Sequence, residues 1–109
     1  MSVLEDNISK LDGYLARFLD TGIQNRIAGQ DAAGSKGVFQ TKSPVDKSMI
    51  CNVAHGTAAD IDRAADAAHE AFAEWRDLPA TERNKVIFRI AKGIEARAEE
   101  IALCECWDT

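Results

Sequence analysis

The chain has no run of about 18 apolar residues, so nothing in it reads as a membrane-spanning helix. Its opening, MSVLEDNISK, is acidic where a secretory leader has a basic start and an apolar block. Basic charge is also short, with 13 Lys and Arg against 18 Asp and Glu and a net charge of −5. A surface that tracks phosphates needs a basic patch, which argues against nucleic acid and against an anionic membrane as partners. Only three cysteines and two histidines occur. So odd and small a set makes no disulfide framework, and a reducing cytoplasm is the expected home. The patterns G-x-S-x-G, P-loop and G-x-G-x-x-G are missing. No nucleophile stands beside a base at a recognisable spacing, and the residues alone describe no self-sufficient active site.

What is present is a globular composition, 46% apolar and 28% charged over 109 residues. That length supports one small domain with a modest core. Residues 3–20 predict a helix, with Leu4, Ile8, Leu11, Leu15 and Phe18 recurring at steps of four and three. Ser2 and Glu5 form a capping-box start, and Gly22 stands where a left-handed stop would fall. Its narrow stripe suits docking on a partner surface. Between 25 and 56 the chain turns glycine-rich. VFQTK (38–42) and MICNVA (49–54) predict an antiparallel hairpin around SPVDKS, and NRIAG (25–29) is a candidate third short strand. GSKG (34–37) has the composition of an anion cradle, but no helix follows it at once, and it reads as a flexible turn.

Residues 57–76 predict a second helix, opened by Thr57 and Asp60. Its apolar face is Ile61, Ala64, Ala65, Ala68, Phe72 and Trp75, with Phe72 and Trp75 expected in the core. Asp62, Asp66, Glu70 and Glu74 form an acidic stripe that reads as a solvated face. After RDLPA, helical periodicity resumes over 80–108. One straight helix would bring Glu105 onto the apolar stripe, where an unpaired carboxylate is costly. A break near Ala96–Ala98 is therefore expected.

The run ALCECWDT tempts a metal or disulfide reading. Cys104 and Cys106, two apart on a helix, point about 200° away from each other. They cannot share an ion or bond to each other there. With Cys51 in a strand and His55 and His69 isolated, the three cysteines read as small residues lining the core.

Several of these stretches, in this order, resemble the start of an aldehyde dehydrogenase. They are Ser43-Pro44 in the hairpin turn; Asp60, Ala64, Ala67, Ala71, Phe72 and Trp75 on one helix; Arg83, Ile87, Ile90 and Ala91 on the next; and Glu105 with Asp108 in an E-x-x-D-x-G pattern. Lys47 departs from the pattern, standing where the family's hairpin has glycine, which predicts a wider turn. The pattern's last glycine would follow Thr109, where the chain ends. The residues ISKLDGYLARFLDTGIQNRIAGQ also look like the leading helix of a branch that oxidises hydroxymuconate-type semialdehydes in aromatic catabolism.

The resemblance implies a mainly α fold with a small β-hairpin, the leading piece of a Rossmann-like NAD(P)-binding domain. Residues 1–24 would be an N-terminal helical extension and 25–109 the partial domain. It implies NAD or NADP as cofactor, a homo-oligomeric cytoplasmic enzyme, and the remainder of the dehydrogenase chain as partner. The family's catalytic cysteine, asparagine and glutamate would lie beyond position 109, so the chain alone is expected to be inactive and to bind no cofactor tightly. One family site would reach into it: a monovalent cation held by the backbone carbonyls of Thr41 and Lys42 and by the carboxylate of Asp108. The competing expectation is a freestanding helical interaction module, which would need to close a core by itself.

Overall fold

Helix α1 (Val3–Thr21) forms where the four-and-three spacing predicts it, in a computed structural model that describes residues 1–109. Ser2 Oγ accepts the Glu5 N–H at 3.2 Å, and Glu5 accepts the Ser2 N–H at 2.7 Å, closing the capping box. Gly22 ends the helix with φ 68° and ψ −173°, a conformation nearly confined to glycine and distinct from a left-handed helical stop. The reason is a close approach: a Cβ on Gly22 would lie 2.7 Å from the Asn52 carbonyl oxygen.

Four strands follow: β1 (Asn25–Ile27), β2 (Gln30–Ala32), β3 (Val38–Lys42) and β4 (Met49–Ala54). They make two separate antiparallel pairs, β1 with β2 and β3 with β4. The β3–β4 hairpin has the predicted bounds, with Val38 opposite Ala54 and a register shift at Thr41/Lys42. The stretch 25–29 does hold the further short strand expected there, β1 over Asn25–Ile27, but it pairs with β2 and not with the β3–β4 hairpin. It is the first arm and turn of its own hairpin, with Ala28 and Gly29 at φ 52° and 74°. Two positive φ values in succession match the right-handed twist of short strand pairs. Alanine is a poor residue there, which is why the turn was hard to read.

The hairpin turn at Lys47 is not widened either. Lys47 takes φ 67°, the conformation a glycine would adopt, with its N–H on the Ser43 carbonyl at 2.9 Å. The GSKG stretch is tied down rather than loose. Lys36 N–H donates to the His55 carbonyl at 3.0 Å, and a Cβ on Gly34 would sit 2.3 Å from that same oxygen.

The remainder is helical: α2 (Ala58–Asp77), α3 (Ala80–Ala96) and α4 (Ala98–Asp108). Arg97, at φ −116° and ψ 20°, breaks α3 from α4 within the expected window, and Glu105 stays exposed. The core sits where α1, β4 and α4 meet. Leu11, Ile50, Cys51 and Ala54 are its apolar members, with Ser43 and Asp60 buried among polar partners.

These are six residues of 109, a small core for the length. The radius of gyration is 17.5 Å, against about 13 Å for a compact domain of this size. The accessible surface is 8175 Å², against about 6,000 Å² for a compact protein of this mass. Phe72 and Trp75 are therefore not core residues: they are 53% and 37% exposed. Ile61 on α2 and Ile87, Phe88, Ile90 and Ile94 on α3 are exposed too. Of the cysteines, only Cys51 is buried; Cys104 is intermediate and Cys106 exposed. Helical periodicity groups these side chains on faces, but apart from β1 against the start of α2 little of the chain packs on them.

Candidate functional site

The β3–β4 hairpin, the lower half of α1 and the end of α4 border a cavity of about 390 Å³ that is open to solvent on one side. Leu15, Phe18 and Ile23 line it from one side, and Thr41, Ile50 and Cys51 from the hairpin. From α4 come Cys104, Glu105, Asp108 and Thr109. Two of the three candidate cation ligands, Thr41 and Asp108, thus reach one cavity from opposite elements. Lys42 is not among its lining residues; it lies just past the strand irregularity, paired with Met49.

Carbonyl and carboxylate oxygens are the donor set that a hard cation takes. The donors offered here suit one in kind, with the carboxylate of Asp108 supplying the charge. That charge is felt in the cavity: burial first, and then Asp108, push the Cys51 thiol above its usual value. A raised thiol is a poor nucleophile, so Cys51 is not poised for covalent chemistry. Cys104 is shifted the same way, mainly by burial. His, Cys, Asp and Glu side chains nowhere converge in a group of three that could hold a metal ion.

The side chain that joins the two halves of this cavity is Ser43, which is fully buried. Its hydroxyl donates to the Trp107 carbonyl at 2.8 Å and accepts the Val45 N–H at 3.2 Å. Trp107 sits in the last turn of α4, where carbonyls have no intrahelical donor. Ser43 thereby caps α4 from the hairpin and holds the end of α4 that carries Asp108 against the strands. From sequence it was legible only as a turn residue before proline.

A second polar cluster surrounds Asp60, which is 3% exposed. Its carboxylate accepts the Ser35 hydroxyl at 2.6 Å, the Ser35 N–H at 3.0 Å and the Thr57 N–H at 2.8 Å, and it pairs with Arg63. The Ser35 hydroxyl, then the Ser35 and Thr57 N–H groups, hold this acid far below the ordinary carboxylate range. Anion and helix start do meet here, but the anion is internal. The GSKG turn and the start of α2 direct their N–H groups at Asp60.

A third set of contacts ties α1 to α4. Lys10 Nζ and Tyr14 Oη each donate to Glu99 at 2.9 Å. Arg17 pairs with Glu100, which Arg97 also grips at 2.8 Å. Lys10 foremost lowers the Glu99 carboxyl, and Arg97 foremost lowers that of Glu100. The pairings of Lys10, Tyr14 and Arg17 with α4 join residues more than 80 positions apart, and no local spacing announces them.

Residues 31–109 match the sequence model of the aldehyde dehydrogenase family. Over 85 residues the chain is 39% identical to an aldehyde dehydrogenase of Vibrio cholerae serotype O1, covering 77% of this chain and 17% of that protein. Over 87 residues it is 44% identical to the mitochondrial benzaldehyde dehydrogenase of Antirrhinum majus, covering 76% of this chain and 16% of the relative. The crystal structure of HpcC from Thermus thermophilus superposes with a TM-score of 0.86 at 34% identity, over 92% of this chain and 20% of that one. The chain thus spans about a sixth of the length of the curated relatives it matches.

Proposed function

Because the chain belongs to the aldehyde dehydrogenase family, we propose that it is the leading segment of an NAD(P)-dependent enzyme that oxidises aldehydes to carboxylic acids. The observation that carries the reading is the family match over residues 31–109, obtained with only a sixth of the relatives' length. The surface agrees with it: an excess on the order of 2,000 Å² over a compact protein is what a segment shows when the elements it packs against are elsewhere in the chain. The same excess weighs against a freestanding helical module, which would have to bury these faces itself.

In such an enzyme a bound NAD or NADP would supply the hydride acceptor, and the residues of this segment would serve the scaffold. The hairpin and α2 would start a Rossmann-like domain. The catalytic thiol would come from outside the segment, since Cys51, Cys104 and Cys106 do not match the place of the family's nucleophile. In this reading the enzyme is cytoplasmic and homo-oligomeric. A semialdehyde of the hydroxymuconate type is the substrate, a choice supported by the residues of α1. No helix of the chain is long and apolar enough to cross a membrane. A monovalent cation, held by the Thr41 and Lys42 carbonyls and the Asp108 carboxylate, would brace the hairpin against α4.

The experiment is reconstitution in two pieces. The chain is co-expressed with the part of the Vibrio cholerae relative that follows the matched stretch. Co-purification and aldehyde-dependent NADH formation, absent from either piece alone, are expected. Failure of the two pieces to associate would overturn the reading. In an active complex, Asp108→Ala should abolish any difference between potassium and a large organic cation. A difference that persists would remove the cation site while leaving the family reading intact.

A further inference from the structure

We propose that α1 is a strap across the β3–β4 hairpin, latched onto α4 by Glu99 and Glu100, whose release uncovers Cys51 in the cavity beneath it. The contacts are of three kinds, one of them the apolar seat of Leu11, 8% exposed, which α1 gives up when it lifts. At the hinge end they are backbone bonds: Ile23 N–H donates to the Asn52 carbonyl, and Ala54 N–H to the Ile23 carbonyl, both at 2.8 Å. Gly22 beside them has the φ of 68° that turns the chain from helix to sheet edge. Along the helix the polar contacts are ionic. Arg17 and Glu99 side chains are 53% and 54% exposed, so water and salt compete for them, while Glu100 is more sheltered at 15%.

Charge can therefore loosen one end of the strap and not the other, and the helix pivots about Gly22. Beneath it, Leu15 and Phe18 share the cavity with Ile50 and with Cys51, which is 1% exposed. The strap thus covers the inner wall of the cavity, where Cys51 lies, while Asp108 on its other side is exposed. It rests on these contacts alone and does not require a bound cation.

Cys51 reports the strap's position, and exposed Cys106 is the internal reference. The 109-residue chain is treated with N-ethylmaleimide, and labelling at each cysteine is timed by peptide mass spectrometry. In the unaltered chain at low salt Cys51 should lag far behind Cys106. In Lys10→Ala/Arg17→Ala the ratio of Cys51 to Cys106 labelling should rise roughly tenfold, the reach of a few exposed ion pairs acting together. Arg17→Lys, which keeps the charge, should stay near the unaltered chain. Raising salt to about 1 M, where screening acts within a few ångströms, should speed Cys51 in the unaltered chain and change the double variant little. Hydrogen exchange in β3 and β4 should be unchanged in the double variant. The proposal is overturned if Cys51 labels as fast as Cys106 in the unaltered chain, or if the double variant leaves Cys51 protected. It is equally overturned if β3 and β4 open together with α1, because α1 would then be part of the fold and not a strap.

Discussion

Replacing Ser43 by alanine should free the end of α4 from the hairpin. The hydroxyl is fully buried and makes two bonds, to the Trp107 carbonyl at 2.8 Å and from the Val45 N–H at 3.2 Å. Val45 is 66% exposed, so its N–H finds water and adds little. The Trp107 carbonyl has no such recourse while α4 stays docked. A buried group left without its partner costs about 1–3 kcal/mol. Taking about 2 kcal/mol, the opening equilibrium of the last turn of α4 rises roughly thirtyfold. Hydrogen exchange of the peptide spanning Ala102 to Thr109 reads this directly. Its amides should lose about thirtyfold in protection in S43A, with α2 unaffected. The control is Ser48→Ala, whose hydroxyl bonds only Asp46 in an exposed turn. It should stay within about 0.5 kcal/mol of the parent. If S43A and S48A exchange alike, Ser43 does not cap α4, and its place in the site is wrong.

Three further outcomes follow from the same contacts. Lys47→Gly should stabilise the hairpin by about 1 kcal/mol, because φ 67° strains a lysine and not a glycine; an unchanged or lower denaturation midpoint would contradict this. Asp60 is held below its unfolded value, near 3.9, so its contribution is present above about pH 4 and lost as the pH falls through its folded value. Asp60→Asn should therefore be the less stable protein near neutrality, and the gap should narrow on acidification; a constant gap in pH-dependent unfolding would refute the assignment. The chain alone, with NAD or NADP and an aldehyde, should form no reduced cofactor above a boiled control, read at the nicotinamide absorbance.

The local elements were legible because local chemistry makes them. Ser2 with Glu5, the SPVDKS turn between VFQTK and MICNVA, and the conflict that Glu105 would create in a straight helix each identify an element from a few neighbouring residues. The β1–β2 hairpin was not legible, since Ala28 carries a positive φ that glycine or asparagine would have announced. Phe72 and Trp75 show a different limit. Periodicity tells which side chains share a face, and only a packed partner makes that face a core. Of the candidate site, Thr41 and Asp108 were brought into view by a family resemblance and do line one cavity. Ser43, which joins their elements across 64 positions, and the Glu99–Glu100 latch carry no sequence signal. Long-range pairs of this kind depend on tertiary placement, and no spacing rule reaches them.

The central claim is that these residues begin an aldehyde dehydrogenase. The most direct measurement is the coding DNA beyond the Thr109 codon in the organism itself. The account predicts a glycine codon, in the same or a shifted frame, followed by the rest of the family's pattern, including its catalytic cysteine. A stop codon with no family pattern in any frame downstream, joined to a chain of 109 residues that unfolds cooperatively as a monomer, would contradict it.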